Sequence, residues 1–198
     1  MSNQNTTSEI LEKASLELMQ RAFDRSADSF SIFLGKKVSF DSVGRMQIQS
    51  IDSILNMTEP LSIIVSEMKG DLKGTCYLIF SHDDANDICE YQLGKAYSNN
   101  DELKEGLLME LANILTASFV TVLANELKIA TYAHVPKLKK MDKIETYTLL
   151  KSDEIHFNLS QKFRISYSIE DIKIQPIFTW AFDDNINKYI QNWSNLAS

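Results

Sequence analysis

One order of elements, a long helix, strands and then a short capped helix, occurs twice along this chain of 198 residues and points to two equivalent halves around one core. Residues 9–34 place Leu11, Ala14, Leu18, Ala22 and Phe33 on one face at three- and four-residue steps, with Ser8 as N-cap and Gly35 as the stop. "VSFDSVGRMQIQSI" and "LSIIVSEM" have strand character, "GDLKG" is a hairpin turn into "TCYLIF", and "HDDANDICEYQLG" is a capped helix ending at Gly94. The order then returns. Asn99, Asn100 and Asp101 can cap a helix over about 101–128, with Leu103, Leu107, Leu108, Leu111, Ile114, Leu115, Val122 and Leu123 on its apolar side. "KIETYTLLKS", "EIHFNLSQ", "KFRISYSI" and "IQPIFTWAF" are strand-like, and "DDNINKYIQNW" closes the chain as a helix.

Setting Glu17 against Glu110 pairs Leu16 with Met109, Leu18 with Leu111, Gln20 with Asn113, Phe30 with Leu123 and Leu34 with Leu127. "YLIFSHDDAND" likewise matches "IFTWAFDDNIN", each a strand running into a double Asp able to cap a helix. The expected fold is one pseudo-symmetric α+β domain over residues 1–198. Its repeats span about 9–94 and 101–193, with residues 1–8 a loose polar tail. An antiparallel β-sheet would carry the two long helices side by side on one face, with shorter helices beside them.

Composition removes several function classes. The net charge of −7 repels nucleic-acid phosphates, and "KLKK" at 137–140, the densest basic spot, is expected to be a solvated loop. There is no amino-terminal pattern of positive charge followed by an apolar run, and no uninterrupted apolar run approaches the about 20 residues of a bilayer span. The expectation is a cytoplasmic protein without membrane insertion, with Cys76 and Cys89 as reduced core residues. His82, His134 and His156 are scattered and lack ligand spacing, and no glycine-rich phosphate loop is present. No cofactor or metal is expected on this chain.

At about 100° per residue, with Leu111 inward, Glu110 and Asn113 fall on the far side of the second long helix. Gly106, Ala117 and Ala124 share that side. Small residues there let another surface approach the backbone, yet on spacing alone a second helix of the same protein packed on them is the plainer explanation. The first long helix shows Glu17, Gln20, Asp24 and Asp28 in the equivalent place, again an acid followed three residues later by a carboxamide. Such a pair, lacking a His, Cys or Ser partner, makes no triad or covalent nucleophile. A carboxamide can nonetheless hold a water in line with a phosphoryl group, provided the substrate brings its own metal and reactive phosphate.

"ELANILTASFVTVLANELKI", followed by Val135, Pro136 and Asp142, resembles the second signature of the CheC/CheX/FliY chemotaxis phosphatases. "FLGKKVSF" and "GDLKGTCYLIF" resemble parts of the first half of that family, and the order of elements is closest to CheC. The resemblance implies hydrolysis of the aspartyl phosphate on a CheY-type response regulator that carries its own Mg²⁺. Glu110 would dock on the regulator's Lys and Asn113 would orient the attacking water. Gly106, Ala117 and Ala124 would form the docking face. Two departures stand out. Ala112 occupies the place of a Gly before the Asn, putting a methyl group near the face. In the first copy Gln20 replaces Asn within "RAFDRSAD", where bulky Phe23, Asp24 and Arg25 would obstruct docking, so the site at Glu17 and Gln20 is expected to be degenerate. The alternative is a non-catalytic CheC-like adaptor binding a response regulator, the deamidase CheD or the flagellar switch. Monomer and homodimer, with the helices as interface, both remain open at this point.

Overall fold

The computed structural model describes residues 2–46, 57–96, 100–156, 159–170 and 172–197. The elements run α1 (Ser2–Leu34), β1 (Val38–Met46), β2 (Leu61–Gly70), β3 (Gly74–Phe80), α2 (His82–Leu93), α3 (Asp101–Leu127), β4 (Thr131–Ala133), β5 (Lys137–Met141), α4 (Lys143–His156), β6 (Leu159–Ile169), β7 (Ile172–Ile174), β8 (Ile177–Phe182) and α5 (Asn185–Ala197). Eight strands form one antiparallel sheet of order β1-β6-β8-β3-β2-β4, with β5 also on β2 and β7 also on β6. This is the expected mixed fold, with α1 and α3 packed together on one face. Strands β3 and β8 pair at the centre, with β1 at one edge beside β6 and β4 and β5 at the other beside β2. Three of the apolar pairs in the Glu17–Glu110 alignment share their burial, whereas Leu16 is exposed and Met109 half-buried. Leu18 and Leu111 are buried, as are Phe30 and Leu123, and Leu34 and Leu127.

Strand periodicity sorts the sheet into two faces. Ile64, Met68, Leu78, Phe80, Phe178, Trp180 and Phe182 meet the helices α1, α2, α3 and α5 in the main core. The aromatic centre of that core joins α1, α3 and β8. The Phe119 ring stacks on Phe23 at 6.1 Å and meets Phe178 and Trp180 edge-on at 4.8 and 5.2 Å. The opposite face, with Leu61, Ile63, Tyr77, Ile79 and Ile177, is covered by Leu149 and Leu150 of α4. Buried Ser26 and Tyr167 share a 2.6 Å hydroxyl contact tying α1 to β6, and burial pushes the Tyr167 phenol up. Cys76 and Cys89 are buried free thiols. Burial pushes both up, Cys89 to about 11, so neither ionises near neutrality.

Several expected boundaries move. The helix begins at Ser2, so residues 2–8 are not a loose tail and Ser8 is not its N-cap. No Pro or Gly interrupts 2–8, and extending a helix already nucleated costs little. The segment 143–152, expected as a strand, is α4, and 154–156 of the next expected strand belong to it too. A reciprocal capping box decides this. Asp142 Oδ1 accepts from the Glu145 N–H at 2.8 Å, while Glu145 Oε2 accepts from the Asp142 N–H at 3.1 Å. Thr146 and Thr148 donate back to the carbonyls four residues earlier, which accommodates β-branched residues in the helix. "KLKK" is strand β5 rather than a loop; Lys137 and Lys139 lie opposite Val65 and Ile63 and stay exposed, as edge lysines that discourage further strand pairing. Ser81, not the double Asp after it, caps α2, accepting from the Asp84 N–H at 3.0 Å. At the second double Asp, Asp183 accepts from the Asn185 N–H. Asn100 caps α3 by accepting from the Leu103 N–H. Residues 47–51 of the first expected strand, 99 of the expected cap and 157–158 lie outside the described residues.

By length and composition, α3 is the one helix among the described residues apolar enough to cross a membrane, which the uninterrupted runs had not suggested. Of its most apolar stretch, 56% is buried inside the fold. Phe119→Ala removes the ring shared by α1, α3 and β8. It should cost about 3–5 kcal/mol in a denaturant titration, with the slope unchanged.

Candidate functional site

Helix α3 packs against α1, the sheet and β4 at once, so Leu107, Leu108, Leu111, Ala112, Leu115, Thr116, Phe119, Val120, Val122, Leu123 and Leu127 are all buried. What remains open is a narrow stripe. Gly106, Glu110, Asn113, Ala117, Thr121 and Asn125 are exposed and Ala124 is half-buried. Leu103, expected inward, is 42% exposed near the start of the helix. Among the described residues no other helix covers the stripe, so within them the packed-helix explanation of its small residues does not hold. Among the described residues Glu110 and Asn113 make no hydrogen bond or ion pair, and an added Cβ at Gly106 would meet open space.

Ala112 is fully buried, so its methyl group points into the core and leaves the Glu110–Asn113 face clear. The concern that it intrudes on the face is removed by the rotation of the helix, since residues 110 and 113 flank the inward-facing pair 111 and 112. Below Asn113 a shallow, open groove of about 350 Å³ separates α3 from β4. Its lining carries the methyl groups of Ala117, Val120, Ala124 and Ala133, the polar groups of Thr121, Asn125 and Thr131, and the Tyr132 ring. No charged side chain lines it. This groove was not foreseen, because β4 is three residues long and "TYA" carries no strand alternation strong enough to predict its pairing with β2.

The face of α1 differs. Glu17, Gln20, Asp24, Arg25 and Asp28 are exposed, but Phe23 is fully buried in the aromatic core and obstructs nothing. Arg21 takes up the acid of the pair, donating to Glu17 at 2.8 Å while its other terminal nitrogen lies 3.5 Å from Glu126. Glu126 also accepts from the Trp193 indole, over whose ring the Arg21 guanidinium sits at 5.5 Å from the centroid. The charged side chains of α1 are thus partly committed to neighbours, whereas the α3 pair is free to meet a partner. Val135, part of the expected signature, is exposed next to buried Pro136, and Asp142 serves as the cap of α4. Among the described residues no group of three or more His, Cys, Asp or Glu side chains is gathered as a metal site.

Known proteins share this fold, and a family model matches the stretch that holds the open acid–carboxamide pair. A model of the CheC-like family matches residues 107–139, the stretch holding Glu110, Asn113 and β4. The CheY-P phosphatase CheC of Bacillus subtilis is 27% identical over 122 residues, 57% of this chain; the chain thus spans about 58% of the length of that relative. The FliY crystal structure from Thermotoga maritima superposes with a TM-score of 0.66 at 14% identity, covering 92% of this chain and 94% of that one. The CheX–CheY–BeF₃–Mg²⁺ complex from Borrelia burgdorferi does so with a TM-score of 0.55 at 15% identity, covering 85% and 99%. Family model, curated relative and fold all agree with the sequence resemblance: the chain is similar to proteins of the CheC/CheX/FliY family.

Because residue 112 packs inward, Ala112→Gly should cost about 1 kcal/mol of stability as a helix-interior glycine. The loss is read from the urea midpoint, and the change should not alter the exposed face.

Proposed function

We propose that this chain hydrolyses the aspartyl phosphate of a phosphorylated CheY-type response regulator, using the exposed face of α3. The observation that carries the reading is the open Glu110–Asn113 pair, without internal partners and set on a stripe of small and uncharged residues. The name of the Bacillus relative as a CheY-P phosphatase, and the CheX structure solved with a CheY, supply the substrate class.

In this mechanism Glu110 pairs with a lysine of the regulator and sets the register of docking. The Asn113 amide then accepts a hydrogen bond from a water and aligns it with the phosphorus. The water oxygen bonds to phosphorus as the bond to the aspartyl oxygen breaks. Inorganic phosphate leaves and the regulator's carboxylate is restored. The divalent ion that neutralises developing charge is expected on the regulator, as Mg²⁺, so this chain contributes position and electrostatics rather than a nucleophile. The counterpart at Glu17 and Gln20 is proposed to be inactive, because Arg21 engages Glu17 and the carboxylates of Asp24 and Asp28 face an approaching phosphoryl group. The reading places the protein in the cytoplasm with its substrate.

Phosphate release from a phosphorylated regulator with Mg²⁺ should be accelerated by the wild-type protein. Asn113→Ala should lower the rate on the order of 10²-fold, and Gln20→Ala should leave it within about twofold. An Asn113→Ala protein as fast as wild type would refute the assignment. Tight binding of the regulator without faster hydrolysis would instead make the chain an adaptor, for the regulator or for CheD or the flagellar switch.

A further inference from the structure

The groove beside Asn113 is continuous with the proposed site, and its chemistry differs from the rest of the helix surface. Ala117, Thr121 and Asn125 follow Asn113 at four-residue steps, about 6 Å and slightly more than one helical turn each, so a protein presenting a phosphoryl group to Asn113 must also lie over this stretch. On a chain of net charge −7, the groove carries no charged side chain, while the corresponding face of α1 shows Glu17, Arg21, Asp24, Arg25 and Asp28. An interface centre without unpaired charges avoids their desolvation cost.

The outer wall of the groove is Tyr132, 58% exposed although it is a large ring. The ring is held in place before any partner arrives. Its backbone is paired with Lys69 of β2, and the ring stacks on His134 with centroids 5.9 Å apart and planes 21° from parallel. A pre-positioned tyrosine loses little conformational entropy on docking and is among the residue types that dominate protein interfaces.

Resting on the phosphatase reading above, we propose that the groove from Asn113 to Tyr132 seats an uncharged, apolar side chain of the regulator surface bordering its phosphorylated aspartate. Tyr132 sets affinity for that partner and takes no part in the chemistry. Its role is therefore separable from that of Asn113.

The separation is read in steady-state phosphate release by the full chain as the concentration of phosphorylated CheY-type regulator is varied with Mg²⁺ present. Tyr132→Ala should raise KM roughly 10-fold or more with kcat within about twofold, and Tyr132→Phe, which keeps the ring, should match wild type. Asn125→Arg, an exposed helix position that puts a charge in the groove without touching the core, should raise KM in the same way and serves if Tyr132→Ala fails to fold. Unchanged KM in both Tyr132→Ala and Asn125→Arg overturns the proposal, and so does a fall in kcat at constant KM. Titration with the regulator bearing beryllofluoride and Mg²⁺ distinguishes the two readings. If wild type binds without hydrolysing, the phosphatase reading fails alone, and the groove is judged by whether Tyr132→Ala weakens binding by the same factor. If wild type neither hydrolyses nor binds, both fall. If sedimentation shows a dimer that Tyr132→Ala dissociates, the occupant is a second copy of this chain and the proposal is wrong.

Discussion

Burial of Phe119 against Phe23, Phe178 and Trp180 is the contact on which the rest of the molecule turns. It joins both long helices to the central strand β8, and it sets the rotation of α3 about its own axis. Glu110 lies nine residues before Phe119, an advance of about 900° and therefore a half-turn away from it. Once the ring is inside, Glu110 is directed outward. Asn113 is carried to the open side by the same rotation, and Ala112 is carried inward.

A helix buried over most of its circumference is an unusual support for a polar site, and the burden it carries explains its composition. To contact α1, the sheet and β4 together, α3 must be apolar nearly all round, which is why by length and composition it passes for a membrane span. Past its exposed first turn, the exposed positions of this helix are the stripe from Gly106 to Asn125, so any chemistry on its body has to use that stripe. Rigidity follows from the same packing. A carboxamide that orients water gains from a backbone that does not move, and α3 is held at its start by the Asn100 cap and the Lys140–Glu105 ion pair at 2.8 Å, where the Glu105 carboxylate holds the lysine ammonium above its ordinary range.

Helices α1 and α3 show how one packing scheme tolerates unequal surfaces. Inward positions of α1 and α3 are mostly apolar, because each helix faces the shared core. Outward positions are under no such constraint, and on α1 they are largely charged, with Arg21 linking Glu17, Glu126 and the Trp193 ring. That cluster joins α1, α3 and α5 at the surface. It contributes little stability, since each exposed pair is worth on the order of a few tenths of a kcal/mol.

The amino-acid sequence by itself determined the places of the two long helices and of the short helices following Ser81 and Asp184, the mixed α and β class, the burial of one face of each long helix and the outward placing of Glu110 and Asn113. These follow from local periodicity, which survives without knowledge of neighbours. Local signals misled where two patterns compete. The β-branched run at 143–152 looks like a strand, and only the reciprocal hydrogen bonds of Asp142 and Glu145, with Leu149 and Leu150 seated on the sheet, make it a helix. "KLKK" looks like a loop until β2 offers it hydrogen-bonding partners. Tertiary structure alone decided that Ala112 and Phe23 point inward, that Arg21 occupies Glu17, and that a groove ending at Tyr132 adjoins Asn113. Each depends on how far a helix is rotated, or which strand lies beside it, and those are set by contacts between residues distant in the chain.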